Sequence, residues 1–378
     1  MRLTFRSSGV ILSKKGKRTD LFMAKVVVGM SGGVDSAVTA YLLKEAGYEV
    51  TGLTIRTWEA AADEVSRCCE IDRAQETARI LGIPYQTINC AQAFREHVTE
   101  PFVREYVRGR TPSPCIDCNR FVKWEWMLYR ANVLGAEYVA TGHYAAVRQL
   151  ENGRYTVQKA VHAEKDQTYM LYRLSQEQLK RTLMPLGAYA KTEVREIAAK
   201  AGLPSASAPD SQEICFVTEG HYADYIEARA GAAVPREGRF VDEDGVCLGT
   251  HKGIIHYTVG QRRGLGLPLG FPAYVKEIRA NTNEVVIAKE EALYHSALLC
   301  ERVNFMSIDG LEPGTALRAL VKIRYAHKGE MAELTSAENG CLLIRFDKPV
   351  KAPAPGQSAV FYDAENCVIG GGIISEIL

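Results

Sequence analysis

Two short stretches of this 378-residue chain carry residue types that could do chemistry. GMSGGVDS, residues 29–36, follows the β-branched run KVVVG and precedes a helical pattern. Backbone N–H groups and the helix dipole at such a junction make an anion site, and Gly32 and Gly33 let the main chain approach a phosphate closely. No Gly-Lys-Ser/Thr follows, so the loop is not a Walker A motif, and it does not read G-x-G-x-x-G. TPSPCIDCN, residues 111–119, sets Cys115 and Cys118 three apart behind Pro112 and Pro114. That spacing suits a redox pair, half of a metal site, or a reactive thiol with a neighbour. The prolines stiffen the segment. Both thiols fall at or just before a helical pattern starting near Arg120, where the dipole favours thiolate. A third thiol, Cys215, stands in DSQEICFV, residues 210–217.

The elements that must position these groups alternate in type. Apolar and β-branched runs predict strands at 25–29, 49–55, 84–89 and 137–141. Helical spacing predicts helices at 36–46, 72–81, 94–107, 120–134 and 191–201, with Gly47, Gly82 and Gly202 as stops. Strands alternating with helices predict an α/β fold with a doubly wound parallel sheet. Beyond about residue 210 the grammar changes. Strand-like residues flank the turn Asp242–Gly245, and 273–288 reads as a hairpin around Asn281–Asn283. Runs at 316–325, 331–334, 341–346, 359–362 and 367–375, joined by Gly, Pro, Asn and Asp turns, predict a small all-β module closed as a barrel.

Composition bounds the partners. Hydrophobic residues make up 47% of the chain and charged ones 24%, ordinary for a soluble protein of two or three domains. No apolar run approaches the ~18 residues of a membrane span, so no membrane partner is expected. Ten scattered cysteines, including the adjacent Cys68 and Cys69, argue against a secreted disulfide framework and for a reducing, cytoplasmic location. Cys90, Cys247, Cys300, Cys341 and Cys367 read as small core residues. Residues 1–22 hold six Lys/Arg against Asp20 alone, so the net charge of +1 comes from this tail and the remainder is negative by four. The tail has no apolar stretch followed by a small-residue cleavage site and reads as an extension, not a signal peptide. Nucleic acid binding by such a body must rely on local clusters such as Arg104, Arg108, Arg110, Lys123 and the 252–263 loop, where Arg262 and Arg263, with Lys252 and His251 nearby, suit phosphate contact.

SGGVDS resembles the PP-loop of ATP pyrophosphatases, which hold the pyrophosphate of ATP and transfer AMP to an oxygen. Taken with TPSPCIDCN, ATGHYA (140–145), KDQTYML (165–171), DSQEICFV, GTHKGIIHYTVGQRRGLG (249–266), IRYAH (323–327) and PGQSAVFYD (355–363), it makes the chain resemble the tRNA-specific 2-thiouridylase family from about residue 24 to its end. The resemblance implies a PP-loop domain, a small central domain and a C-terminal β-barrel. The expected spans are a basic extension at 1–22, then 23–210, 211–285 and 286–378. It implies ATP with Mg2+ as cosubstrate, a tRNA bearing a wobble uridine as acceptor, and sulfur from a persulfide-carrying protein or inorganic sulfide. ATP would activate the uridine C2 oxygen and sulfur would replace it. By motif match, Gly29, Met30, Ser31, Gly32, Gly33, Val34, Asp35, Ser36, Ile55 and Gly142 would line the ATP site. Cys118 would be the nucleophilic partner and Cys215 the persulfide carrier. Ser113, Pro114, Cys115, His143, Lys165, Asp166, Gln167, Arg324, Tyr325 and Gln357 would meet the tRNA.

One departure matters. The family pattern has aspartate where this chain has Cys115. Two answers to the cysteine question therefore stand. In one, Cys118 and Cys215 do persulfide chemistry and end as a disulfide. In the other, Cys115, Cys118 and Cys215 hold a [4Fe-4S] cluster whose fourth iron binds sulfide. Two other functions compete: another PP-loop AMP-forming ligase or amidase, and a persulfide or iron–sulfur carrier that is not an enzyme.

Overall fold

The computed structural model describes residues 23–58, 64–206, 214–217 and 220–378, with backbone alone over 64–70. The tail 1–22, the side chains of Cys68 and Cys69, and residues 210–213 of DSQEICFV lie outside it. The chain forms two compact units.

The first unit takes in residues up to Phe94, Ile116–Gln212 and Glu365–Val368. Its strands are β1 (Lys25–Gly29), β2 (Glu49–Arg56), β3 (Tyr85–Asn89), β4 (Tyr138–Ala140), β5 (Ala145–Gln149), β6 (Tyr155–Lys159) and β7 (Thr182–Leu183). Five of them make one sheet in the order β3-β2-β1-β4-β7, and every pair is parallel. Val26, Val27 and Val28 of β1 are at most 1% exposed, as a central strand covered on both faces requires. The order turns back between β1 and β4, so their C-terminal ends flank the switch point where ligands of such sheets bind. β5 and β6 form a separate antiparallel hairpin.

Several helix starts differ from the sequence expectation. The first helix is Val34–Glu45 and begins directly behind Gly33. The second is Glu64–Leu81, eight residues longer at its start than the apolar face predicts. The predicted 120–134 helix begins at Pro114, as Pro114–Asp117, a π-helical Cys118–Lys123 and then Trp124–Leu134. Proline suits a first helical position, because its fixed φ is already helical and its missing N–H is not needed there. Trp124–Leu134 ends on Gly135 at φ +63°, a left-handed cap that only glycine takes cheaply.

The second unit takes in Arg95–Cys115, Glu213–Ala364 and Ile369–Leu378. It opens with a π-helical Arg95–Thr99 and the helix Glu100–Val107. A four-stranded sheet follows from β8 (Gly238–Val241), β9 (Cys247–His251), β10 (Tyr274–Arg279) and β11 (Glu284–Ala288), in the order β10-β11-β8-β9. The two expected turns are present, since β8 pairs β9 and β10 pairs β11 antiparallel. β12 (Tyr294–Phe305), β13 (Ala316–Lys322), β14 (Glu330–Ser336), β15 (Leu342–Lys351), β16 (Ser358–Tyr362) and β17 (Val368–Ile377) close a barrel. Alternate residues such as Ala319, Val321 and Ile323 fill its interior. Closure leaves no open sheet edge. The α/β sheet, central domain and terminal barrel are thus the architecture expected from sequence.

Candidate functional site

The loop after β1 is shaped by glycine. Gly32 has φ +77°, where a side chain is strained, and Gly33 caps the Val34–Glu45 helix in an extended conformation. A glycine cap offers no side chain to the first helical N–H groups, which leaves them to an anion. Ser36 Oγ accepts from Ser31 N at 3.2 Å and donates to Gly33 O at 3.0 Å, which ties the loop to itself. Thr54 of β2 donates to Met30 O at 2.6 Å and fixes the start of the loop. Ile55 follows on the same C-terminal edge of the sheet.

Asp35 lies in the first helical turn. Its carboxylate is gripped from two other elements. Lys191 Nζ donates to both oxygens at 2.7 Å, and Tyr144 OH donates to Oδ1 at 2.7 Å. Gly142 passes against the loop backbone so closely that a Cβ would lie 2.8 Å from Asp35 C and 2.9 Å from Ser36 N. The structure thus gathers Asp35, Gly142, Tyr144 and Lys191. Sequence reading named only the first two as site residues. Lys191 did carry a signal: it opens the helix Lys191–Lys200, and a cation there opposes the helix dipole.

The ATGHYA and KDQTYML motifs hold each other. Gln167 Oε1 accepts from Tyr144 N at 2.9 Å, and Gln167 N donates to Tyr144 O at 3.0 Å. Asp166 is buried and accepts from Thr168 Oγ1 at 2.9 Å, so its carboxylate organises its own turn. Lys165 is half-buried beside it. His143 Nδ1 lies 2.9 Å from Thr141 Oγ1, and its ring packs 5.4 Å from that of Trp124. Burial of the imidazole, with Lys123 nearby, pushes its pKa down to about 3. His143 is therefore neutral at pH 7 and offers a hydrogen bond, not a positive charge.

Cys118 also belongs to the first unit, where it is buried at the start of the π-helical segment. Such segments recur at functional sites. The next residue, Asn119, donates to Met170 O at 3.0 Å and so fastens the cysteine segment to KDQTYML. The expectation that both thiols precede a helix near Arg120 is corrected: helical backbone begins at Pro114, so Cys115 stands in the first turn and Cys118 one turn on.

In the second unit, the loop before Cys115 is pinned to the turn ahead of β16. Thr111 N donates to Pro355 O at 2.8 Å, Gln357 Nε2 donates to Thr111 O at 3.0 Å, and Ser113 Oγ donates to Gln357 Oε1 at 3.2 Å. Ser113 and Gln357, motif-matched to tRNA contact, thus meet each other, with Pro114 and Cys115 half-buried next along the chain. Arg324 donates to Lys351 O at 3.0 Å, whereas Tyr325 stays 40% exposed. Cys215 is exposed, and its neighbour Phe216 is buried edge-on against Phe102, ring centroids 5.1 Å apart.

Two surface expectations and one core expectation are corrected. Arg110 is consumed by Glu105 and Glu301, each at 2.9 Å, so it braces the unit. His251 is a core residue of the four-stranded sheet, its Nδ1 accepting from Gly253 N at 3.1 Å. Cys247 is exposed on β9, not buried, because its strand faces solvent at that position. Among the described residues, no three or more His, Cys, Asp or Glu side chains are grouped so as to hold a metal ion.

Comparison with known proteins covers nearly all of the described chain. Residues 24–219 match a tRNA methyl transferase HUP domain, 224–289 a tRNA methyl transferase PRC-barrel domain, and 295–374 an aminomethyltransferase beta-barrel domain. The chain is 50% identical over 359 residues to the tRNA-specific 2-thiouridylase MnmA of Lachnoclostridium phytofermentans, covering 93% of this chain and 99% of that one. It is 49% identical to tRNA-specific 2-thiouridylase MnmA 2 of Caldanaerobacter subterraneus, covering 93% and 97%. It is 48% identical to the MnmA of Acetivibrio thermocellus, covering 93% and 99%. With its phosphate loop, paired motifs and terminal barrel in one order, this chain belongs to the tRNA-specific 2-thiouridylase family.

Proposed function

We propose that this protein is an ATP-dependent tRNA-uridine 2-sulfurtransferase acting on the wobble uridine. The observation that carries the reading is the uncapped helix start behind Gly32 and Gly33, with Asp35 beside it, in the same unit as the buried thiol Cys118. The main-chain N–H groups would hold the phosphates of ATP. Asp35 is the loop's carboxylate for Mg2+, which suits an ion bound through one or two carboxylates plus substrate phosphates. The ion would supply charge neutralisation on those phosphates.

The uridine C2 oxygen attacks the α-phosphorus and pyrophosphate leaves. The O2-adenylated base now has AMP as a leaving group. The terminal sulfur of a Cys215 persulfide attacks C2, and AMP departs with the former oxygen. Cys118 thiolate then attacks Cys215 Sγ. The S–S bond to the transferred sulfur breaks, its electron pair forms the C2 thiocarbonyl, and a Cys118–Cys215 disulfide remains for an external thiol to reduce. This sequence requires the two thiols to meet during turnover. A persulfide-carrying protein would recharge the reduced Cys215 by passing its outer sulfur to the thiolate and leaving as a thiol; inorganic sulfide would instead open the Cys118–Cys215 disulfide itself, leaving a Cys215 persulfide and a Cys118 thiolate, and thiol chemistry of this kind suits a reducing cytoplasm.

Exposed Tyr325 suits base stacking or backbone contact, and Ser113, Pro114, Cys115, Gln357, His143 and Lys165 remain the proposed polar contacts to tRNA. Asp166 and Gln167 in the first unit, through their bonds to Thr168 and Tyr144, and Arg324 in the second, through its bond to Lys351, order the segments that carry proposed tRNA contacts. The matched domain names speak of methyl transfer, but a phosphate-type loop with an aspartate in its first helical turn suits adenylation of an oxygen. Incubation with ATP, a sulfur donor and unmodified tRNA tests the proposal. Thiolated uridine and tRNA-dependent pyrophosphate are expected. Pyrophosphate released toward ammonia or an amino acid, without tRNA, would favour an amidating ligase. Sulfur loading without any ATP turnover would favour a carrier.

A further inference from the structure

The pairing at Asp35 raises a question that the loop motif does not answer. Lys191 stands at the first position of its helix, where the dipole repels a cation. Its side chain is 14% exposed, so it is largely desolvated. Its ammonium reaches both oxygens of Asp35, the residue next to the uncapped helix start. A lysine carried there against the dipole and against solvation is poorly explained as a stabilising ion pair, because a partly buried pair returns little net free energy. Tyr144 OH already hydrogen-bonds Asp35 Oδ1, so the carboxylate keeps a partner without the lysine.

We infer that Lys191 is a phosphate ligand of the nucleotide site, held on Asp35 and passed to the phosphate oxygens of ATP when nucleotide arrives. The loop N–H groups fix where the anion sits, and Lys191 Nζ lies 2.7 Å from a carboxylate on that same helical turn. A flexible four-carbon stem allows a short transfer from one anionic oxygen to the next. The exchange leaves the ammonium paired throughout and uncovers Asp35 for the cation that accompanies ATP. Before the exchange the same contact neutralises Asp35 and keeps Lys191 in reach.

This inference rests on the reading of the loop as an ATP site, and binding tests it without sulfur chemistry or tRNA. The probes are α,β-methylene-ATP with Mg2+ and, separately, adenosine, followed by calorimetry on the full chain. Wild type should bind the analogue; failure to do so would remove the nucleotide reading itself. Lys191→Met should weaken analogue binding at least tenfold and leave adenosine binding unchanged. Wild-type affinity for the analogue in Lys191→Met would overturn the inference. Equal loss of both probes would assign Lys191 a structural role and also overturn it. Asp35→Asn/Lys191→Met guards against an artefact from an uncompensated aspartate. If Lys191 only neutralises Asp35, the double variant regains analogue affinity; the inference expects it to stay weak. Lys191→Arg should restore part of the loss.

Discussion

Asp35 and Cys215 sit in surroundings of opposite kind. Asp35 is fixed by polar bonds from Lys191 and Tyr144, brought in by chain segments more than 100 residues away. Cys215 is exposed, and the nearest fixed point in its chain is the aromatic ring of Phe216, packed on Phe102 and Tyr225. Charge placement needs directional bonds at distances set to a few tenths of an ångström. A sulfur carrier must instead present its thiol to a donor and then to a base, so anchoring beside it, through apolar packing that leaves the sulfur outside, is enough. On the roles proposed for them, the difference teaches that adenylation and sulfur delivery should respond separately to substitution.

The largest effect should come from Asp35→Ala, which removes the carboxylate and strands Lys191. Pyrophosphate release should fall by at least about 100-fold, the scale of losing one preorganised electrostatic group. Gly142→Ala forces a Cβ to within 3 Å of the Asp35 and Ser36 backbone. A misplacement of that size should slow pyrophosphate release by about 100-fold while the barrel stays folded, as near-UV dichroism would check. Phe216→Ala should reverse the pattern: thiolation slows about tenfold, pyrophosphate release holds, and Phe216→Tyr recovers most of the rate. Equal loss of both readouts would erase the distinction between the two regions.

A smaller effect concerns His143. Its folded pKa of about 3 lies below the ordinary value of 6.5. Between those values the unfolded chain binds the extra proton, so His143 favours the folded state above pH 6.5 and that contribution is lost progressively as pH falls toward 3. His143→Gln should flatten the decline in stability over that window, measured by denaturant unfolding at successive pH values. No break from His143 is expected in activity between pH 7 and 9. The smallest effect should be that of Gln357→Ala, which loses the bonds to Ser113 and Thr111 at a cost of about 1 kcal/mol.

Much of the first unit was legible because its signals are local. KVVVG is a buried run, Gly32 and Gly33 mark a tight turn, and glycines stop the helices. The barrel was legible as a succession of short strands, but β12 was not, since its twelve residues carry a register break near Arg302, at φ +50°, that blurs the alternation. The β5–β6 hairpin was missed because Ala145–Gln149 and Tyr155–Lys159 mix exposed and buried positions without clean alternation. At the site, motifs gave Asp35 and Gly142, but the partners of Asp35 come from 109 and 156 residues away and no local pattern links them. Asp166 is motif-matched to tRNA contact, and only the fold shows its carboxylate turned inward to Thr168.

The central claim is that one half of the molecule's chemistry activates an oxygen and the other supplies sulfur through thiols. Cys215→Ser, assayed with ATP, a sulfur donor and unmodified tRNA, tests it most directly when pyrophosphate and 2-thiouridine are measured in the same reaction. The account expects tRNA-dependent pyrophosphate to continue while thiouridine disappears. Wild-type formation of thiouridine by that variant would contradict it.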